Sequence, residues 1–553
     1  MKNLYKFISA GVLAATAVSC ADLDTQYFGT YVTDEQKQSV VEQNPSMATA
    51  AVMSIASAFN SCQTVASFND GYHWDFGYAS MMMGLDSQTA DLLAKIPYTS
   101  SHIYWFGYVN PSPQGIPTTV AWTYMYDQIK VDNALLTSIT KEIAASGDAR
   151  QKFFRAQGLA VRAFNYWVLA QLYQFNYVGH ENDKCVPLIT EDNQDAIASD
   201  GAPRATVQQV YDQILEDINE AVGLLKEANI NPSSVMSEKP KRMISLAAAY
   251  GLRARIYLTM HKYAEAAADA QSAIDAFSGR PYTRQEVSVP AFTNSEDPSW
   301  MWAIVTGSTE RPVTSGICNW PSQMGPFNDG YCNSSGWRWC NKLLFESIPS
   351  SDVRKGWFLD ENYTSPNLST AEQEYLDQYV PSSGKANYVA NSSDIMPYTQ
   401  VKYGVAGGGL GGYTTGYEVP MMRIEEMYLI LAEGQAMSGQ ATAGLKTLND
   451  FVSQNRDPRY KFTSADPAEL QEEIYQQRRL ELWGEGLAFF DVMRLNKGVN
   501  RVGGASMDDY NYNIEPNDPV LIYCIPLDEV TANPQISASD NNPTAPRPTP
   551  IIQ

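Results

Sequence analysis

The stretch of sequence that decides the fold is residues 478–494, which read RRLELWGEGLAFFDVMR. Its charged side chains recur at spacings of three and four residues, so they can form ion pairs on helix faces and join neighbouring segments. Paired charges on helices hold a fold together more often than they perform chemistry. We therefore interpret the following residues as structural: Arg478, Arg479, Glu481, Glu485, Asp491 and Arg494.

Helix signals extend outward from this stretch. Asp466 is followed by Pro467 and then by Glu469, which is the pattern of a helix N-terminus. Thr206 and Gln209 form a capping box that predicts another helix start. A single apolar stripe at helical spacing predicts a further helix and consists of Phe154, Val161, Val168, Leu172 and Phe175.

Two stretches have the pattern of paired antiparallel helices. Residues 244–277 resemble a tetratricopeptide repeat, with His261-Lys262 at the turn and small residues that allow close helix packing. The matching positions are Ala254, Tyr257, Tyr263, Ala266 and Ala273. A weaker pair covers residues 422–451, with Gly439 at its turn. One pair cannot bury its apolar face alone, so we expect several pairs to stack.

The middle of the chain, residues 280–419, lacks the helical period and is rich in Gly, Pro, Ser, Asn and aromatic residues. Irregular segments of this length inside a compact protein are usually functional. We expect the ligand-facing part of the protein to lie here.

The N-terminus has the features of an export signal. Lys2 and Lys6 are followed by an apolar run too short to span a bilayer, and small residues precede Cys20. We predict a cleaved lipoprotein signal peptide over residues 1–19, a lipid on Cys20, and a tether over residues 20–40. An ordinary secretory signal is the alternative.

Composition and charge limit the function classes. The formal net charge is −22, with 61 acidic and 39 basic residues, and clustered Lys and Arg are missing, which argues against nucleic acid. Besides Cys20, the sequence contains six cysteines, and we predict a disulfide within the group Cys318, Cys332 and Cys340. We expect free, buried thiols for the remaining cysteines, which are Cys62, Cys185 and Cys524.

Three segments, in order, resemble the SusD/RagB family of nutrient-binding outer-membrane lipoproteins. They are residues 420–433, residues 478–494, and Ile525-Pro526-Leu527-Asp528-Glu529 with Asn533-Pro534. Supporting matches are Trp122, Tyr126, Ile129 and Asn133, and the run Arg155-Ala156-Gln157-Gly158 with Arg162-Ala163. The resemblance spans essentially the whole mature chain and is weakest in the middle.

The resemblance implies a mostly α fold: a tetratricopeptide-like helix-pair array with an irregular, loop-rich portion that binds ligand. We divide the single body, residues 41–553, into a helical scaffold (41–279 and 420–500), the ligand-facing portion (280–419) and a closing segment (501–553). The resemblance also implies a lipid-anchored protein on the outer face of the outer membrane. There it would capture oligosaccharide and deliver it to a TonB-dependent, SusC-like transporter.

Two alternatives remain open from the sequence. One is capture of peptides by the same fold. The other is an all-α glycoside hydrolase with two carboxylates flanking the scissile bond, which residue spacing alone does not exclude. The resemblance argues against the hydrolase, and we predict a binding protein and no enzyme.

Aromatic loops point to the candidate binding residues. Sugar rings have apolar faces and polar rims, so their sites combine flat aromatic rings with amides and carboxylates. Five of the eleven tryptophans fall between residues 300 and 340, and residues 69–75 and 104–105 are similar in character. We predict the ligand-binding residues to be Tyr72, Trp74, Asp75, Trp105, Asn319, Trp320, Trp337 and Arg338.

The sequence lacks the motifs of nucleotide binding, of common hydrolases and of metal binding. Gly407, Gly409 and Gly412 match a GxGxxG string, but no strand pattern precedes it and no helix pattern follows, so we interpret it as a connector. HExxH, Walker-type and GxSxG motifs are missing. Calcium-type ligands occur in loops without EF-hand spacing. We therefore predict neither a cofactor nor a metal.

Overall fold

Helices dominate the computed structural model of the chain. It describes residues 48–61, 75–95, 103–314, 318–328, 330, 332–384, 393–406, 409–412, 416–506 and 508–552. The predicted signal peptide, Cys20 and the tether lie outside the described residues, as do Cys62, Tyr72 and Trp74.

The helices are α1 (Ala48–Ala58), α2 (Tyr78–Ser87), α3 (Ile103–Phe106), α4 (Ile116–Ser138), α5 (Lys141–Ser146), α6 (Ala149–Tyr173), α7 (Gln194–Asp200), α8 (Val207–Ala228), α9 (Leu246–Thr259), α10 (Tyr263–Ala276), α11 (Arg311–Thr314), α12 (Trp320–Met324), α13 (Lys342–Ser347), α14 (Thr370–Asp377), α15 (Ile424–Met437), α16 (Ala441–Asn455), α17 (Pro467–Glu481), α18 (Ala488–Arg494) and α19 (Leu527–Ala532). The strands are β1 (Leu92–Ala94), β2 (Trp300–Thr306), β3 (Arg338–Cys340), β4 (Tyr417–Arg423), β5 (Val499–Asn500) and β6 (Asn513–Ile514).

The predicted helix starts are confirmed. The Thr206 side chain accepts a hydrogen bond from the N–H of Gln209, and the Gln209 side chain accepts one in return from the N–H of Thr206, which completes the capping box of α8. Asp466 accepts hydrogen bonds from the N–H groups of Ala468 and Glu469 at the start of α17. These side chains satisfy backbone donors that a helix end otherwise leaves unpaired.

The long helices pack in one continuous array. In order, α4, α6, α8, α9, α10, α15 and α16 each pack against the next, and α17 packs against α15. The two predicted pairs are α9–α10 and α15–α16, with turns at His261-Lys262 and at Gly439. Gly434 allows α15 to approach α10, because a Cβ there would lie 2.6 Å from the carbonyl oxygen of Tyr263. The array therefore continues from α10 to α15 although almost 150 residues separate them in the chain.

A two-stranded antiparallel ladder marks where the intervening segment leaves the array and returns to it. β2 pairs with β4 from Trp300 opposite Arg423 to Thr306 opposite Tyr417. Met422 and Arg423 are therefore strand residues, and the expected helix at 422 begins at Ile424 instead. The pairing between such distant segments overrides the local pattern. β1–β3 and β5–β6 are the other small antiparallel pairs in the described part of the chain.

The charges of residues 478–494 form buried ion pairs, as predicted, and most of these pairs join different elements. One connected group of ion pairs, which we call the Glu481 network, joins the helical array to the middle segment. On the side of the array its residues come from β4, α15, α17, the turn after α17 and the residue that follows α16. Its members are Asp352, Arg354, Lys402, Arg423, Glu425, Arg456, Glu481 and Glu485. The side chains of all eight are at most 4% exposed.

The predicted disulfide does not form between Cys332 and Cys340, because both are free thiols. Burial raises the pKa of the Cys332 thiol to about 12. Cys185 and Cys524 are buried free thiols, as expected. None of the described helices combines the length and the apolar character that crossing a bilayer requires.

Replacing Glu481 with Gln should lower the free energy of unfolding by about 3–5 kcal/mol, because buried guanidinium groups lose their counter-charge. Arg456 and Arg423 lie 2.7 and 3.1 Å from the Glu481 carboxylate. Urea denaturation at pH 7 measures the change. The control is Asp450→Asn in the exposed pair Lys446–Asp450, which should cost less than about 0.5 kcal/mol. Equal losses in both variants would contradict a structural role for the network.

Asp86 should give the stability a pH dependence. Burial raises the pKa of its carboxyl from 3.8 to about 7, although the N–H groups of Gly486 and Ala488 donate to it and oppose the shift. The folded state thus holds this proton more tightly, so its contribution is complete below pH 3.8 and is lost as the pH rises through about 7. The melting temperature of Asp86→Asn, relative to the native protein, should therefore increase between pH 5 and pH 8. A difference that stays constant over this range would refute the prediction.

Candidate functional site

A pocket of about 290 Å³ lies at the end of the β2–β4 ladder where the middle segment leaves the helical array. The walls come from the loop after Ala291, from α12 and its following turn, and from the glycine-rich segment that leads into β4. The lining residues are Phe292, Thr293, Trp320, Pro321, Gly325, Asn328, Tyr403, Gly404, Val405, Ala406, Gly409, Gly412, Gly416, Tyr417 and Glu418.

Aromatic rings form one wall of the pocket. Trp320 is the first residue of α12, whose start is fixed by the Asn319 side chain accepting a 2.9 Å hydrogen bond from the N–H of Ser322. The Trp320 ring meets the ring of Tyr403 edge to face, with centroids 5.5 Å apart. Phe292 packs against the other side of this group, 6.1 Å from Tyr403. The neighbouring rings fix the orientation of Trp320, which is 4% exposed.

The opposite wall is polar and largely backbone. A Cβ on Gly409 would meet no atom within 4 Å, so this part of the wall leaves open space and uncovered peptide groups. Glu418 contributes a carboxylate that is 14% exposed and lies 2.8 Å from Nζ of Lys239. The same carboxylate accepts a hydrogen bond from the N–H of Ser295 at 2.6 Å. The pocket thus combines aromatic surface with hydrogen-bonding groups.

Lys402 connects the aromatic wall to the Glu481 network. Its ammonium lies 4.8 Å from the ring centroid of Phe292 and 5.4 Å from that of Tyr403, and 2.7 Å from the Glu485 carboxylate. Burial lowers the pKa of Lys402 to about 8, and the Glu485 charge opposes this shift. Because one buried cation contacts both, the position of the rings depends on the network.

The structure brings only part of the predicted site to this pocket. Trp320 lines it, and Asn319 acts behind it as the helix cap. Trp105 and Trp337 are at most 1% exposed and lie elsewhere, with Trp337 donating its indole N–H to the carbonyl of Ser393. Asp75 and Arg338 are also buried away from the lining. Tyr72 and Trp74 lie outside the described residues.

Most of the remaining lining residues are not among those predicted from the sequence. Tyr403, Phe292 and Glu418 are not among the predicted ligand-binding residues, and Gly409 and Gly412, which belong to the GxGxxG string interpreted from sequence as a connector, line the pocket. A signal was present, because Tyr403, Tyr413 and Tyr417 flank and interrupt the glycines. Aromatic residues within a glycine-rich loop favour a binding wall over a simple linker.

The other cavities are less suited to a planar, partly apolar ligand. A cavity of about 390 Å³ beside α6 and α8 has no aromatic lining residue, and its Arg162 is already paired with Asp217 at 2.7 Å. A pocket of about 260 Å³ beside α4 contains Trp122 and Tyr126, but its lining comes from the helical scaffold and the closing segment and not from the segment that we expect to face the ligand. No group of three or more potential metal-ligating side chains occurs among the residues that the structure describes.

Comparisons with known proteins agree with this architecture. Residues 30–258 match a family model described as starch-binding and associating with the outer membrane, and residues 337–543 match the model of the SusD family. None of the curated proteins with which the sequence was compared is significantly similar to it.

Solved structures of similar fold cover nearly the whole chain. A SusD-like carbohydrate binding protein from Bacteroides vulgatus is 19% identical, with a TM-score of 0.68 over 89% of this chain and 97% of its own. A SusD superfamily protein from Bacteroides thetaiotaomicron is 20% identical, with a TM-score of 0.64 over 93% and 100%. A laminarin binding SusD-like protein is 21% identical, with a TM-score of 0.59 over 90% and 98%. At these identities the similarity is one of fold.

Proposed function

The chain belongs to the SusD/RagB family, and from that premise we propose that it binds oligosaccharide in the pocket beside Trp320. The observation that carries the proposal is the pairing of a rigid aromatic wall with a wall of peptide groups and a carboxylate. A sugar ring places its apolar face on an aromatic ring and its hydroxyl groups on hydrogen-bonding partners. Two solved structures of the same fold are described as carbohydrate binding and laminarin binding, which supports this ligand class.

The size of the pocket limits how much ligand it holds. Its volume of about 290 Å³ lies just below the range of ~300–1,000 Å³ typical of small-molecule pockets. We propose that it receives one end or one unit of a longer chain. Small contact areas give modest affinity, on the order of micromolar to millimolar.

The N-terminal sequence supports the cellular role. Cys20, after a signal peptide, would carry the lipid that holds the protein at the outer face of the outer membrane. From there the protein would deliver oligosaccharide to a TonB-dependent, SusC-like transporter. The family model for residues 30–258, described as associating with the outer membrane, supports this location. Capture and delivery need no bond cleavage, so we propose no enzymatic step.

Trp320→Phe should weaken glycan binding on the order of threefold to tenfold, because the smaller ring loses stacking surface while the wall remains filled. Alanine is a poorer choice, because emptying a site that is only 4% exposed would itself cost about 3–5 kcal/mol of stability. A glycan array identifies the ligand, and isothermal titration measures the change in affinity.

The matched control is Trp122→Phe, since Trp122 is 6% exposed and lines the separate pocket beside α4. It should bind glycan as the native protein does. Equal weakening in both variants, or binding of peptides and of no glycan, would refute the assignment to the Trp320 pocket. Release of reducing ends from a bound glycan would show that the protein is an enzyme, contrary to our proposal.

Cys20→Ala should release the protein from the membrane without changing its ligand affinity, because residue 20 lies outside the predicted body, residues 41–553. Metabolic labelling with palmitate and fractionation of the cells measure the effect. The native protein should carry label and sediment with the outer membrane, and the variant should do neither. Cys62→Ala is the control and should keep both label and location. A labelled, membrane-bound Cys20→Ala variant would contradict the predicted anchor.

A further inference from the structure

The pocket is poor in positive charge. Among its described lining residues Glu418 is the only acidic side chain, and Lys, Arg and His do not occur. The sequence segments interleaved with the lining, residues 315–317, 329, 331, 407–408 and 413–415, also contain no basic residue and add one aspartate, Asp329. A carboxylate or sulfate on a ligand would find no cationic side chain among the described lining residues.

The three basic side chains at Lys239, Lys241 and Arg242, near the β2–β4 ladder, already form ion pairs or hydrogen bonds. Nζ of Lys239 lies 2.8 Å from the Glu418 carboxylate and 3.9 Å from that of Glu296. Lys241 donates to the carbonyl of Asp297 at 2.7 Å. Arg242 donates to the carbonyl of Val305 at 3.1 Å and lies 3.6 Å from Glu310. None of these three residues lines the pocket.

Behind the aromatic wall the charges cancel. Lys402 and Arg423 lie 4.8 and 5.0 Å from the Phe292 ring, but both belong to the Glu481 network, in which four cations meet four carboxylates. Charges that are paired at such short range project little net field. At the pocket itself the ion pair is Lys239–Glu418, and because only Glu418 belongs to the described lining, a ligand faces the negative end of this pair.

We propose that the pocket selects uncharged sugars and that Glu418 is the residue that excludes uronic acids and sulfated sugars. The proposal rests on the function proposed above and narrows its substrate class. An anionic group that enters the pocket gives up its hydration without gaining the charge-assisted hydrogen bonds that compensate for the loss. It also approaches a fixed carboxylate of like charge. Neutral hydroxyl groups can hydrogen-bond to the pocket and are not repelled by the carboxylate, so they avoid both costs.

The Lys239–Glu418 pair makes the exclusion reversible by a single substitution. Glu418→Gln keeps the shape of the side chain and an oxygen that can accept from Ser295, but it removes the negative charge. It also releases the Lys239 ammonium from its partner at 2.8 Å. Both changes favour an anion, so the variant should acquire acidic ligands that the native protein rejects.

The experiment compares one neutral glycan that binds on the array with the same glycan oxidised at C6 to the uronic acid. The native protein should bind the oxidised form at least tenfold more weakly than the neutral one. Glu418→Gln should reduce this ratio to less than about threefold and should make binding of the oxidised form sensitive to NaCl. Glu286→Gln is the control for net charge, since Glu286 pairs with Arg280 on the surface and does not line the pocket. It should keep the native ratio.

A second variant changes Lys239, the other member of the Lys239–Glu418 pair. Lys239→Gln leaves the Glu418 carboxylate without its ammonium partner, so it should bind the oxidised glycan still more weakly and a glucosamine oligomer more strongly than the native protein does. Equal or tighter native binding of the oxidised glycan overturns the inference while leaving glycan binding intact. An unchanged ratio in both variants overturns the assignment to Glu418. A native protein that binds no glycan on the array refutes the proposed function itself.

Discussion

The fold depends on the buried ion pairs around Glu481. Its carboxylate contacts Arg456, Arg423 and Arg354, which come from three different parts of the chain. Burial opposes the ionisation of Glu481, yet these guanidinium groups hold its pKa well below the usual range. Removing any one of them would leave a charge unpaired in a dry interior, which is far more costly than never having buried the pair. The network therefore joins the middle segment to the helical array through ion pairs that are costly to separate.

The pocket follows from this constraint. Arg423 ends β4 opposite Trp300 of β2, and Tyr417 and Glu418 at the opposite end of β4 line the pocket. Lys402 extends the network beneath Phe292 and Tyr403, and its 2.7 Å contact with Glu485 holds those rings in place. A site that must stack against a sugar needs rings that do not reorient, and a neighbouring network of ion pairs supplies that rigidity.

Local signals predicted the local structure well. The caps at Thr206 and Asp466 and the turns at His261-Lys262 and Gly439 all lie where the sequence placed them, because each depends on a few adjacent residues. The β2–β4 ladder was missed, since it joins strands more than 100 residues apart and leaves no periodic trace. Aromatic content alone also could not separate Trp320 from Trp337, because both are buried and tertiary packing decides which of them lines a pocket.

The separation of scaffold and pocket has a consequence for specificity. In the Glu481 network, which joins the helical array to the middle segment, four cations and four carboxylates are matched, so this network contributes little net charge to the pocket. The pocket walls belong to the middle segment and to the start of β4, and Glu418, the one acidic side chain among the described lining residues, makes its ion pair outside the Glu481 network. Substitutions in these walls can change which sugars are accepted without unbalancing a buried charge. A protein built this way can vary its ligand while the interactions that determine its fold remain fixed.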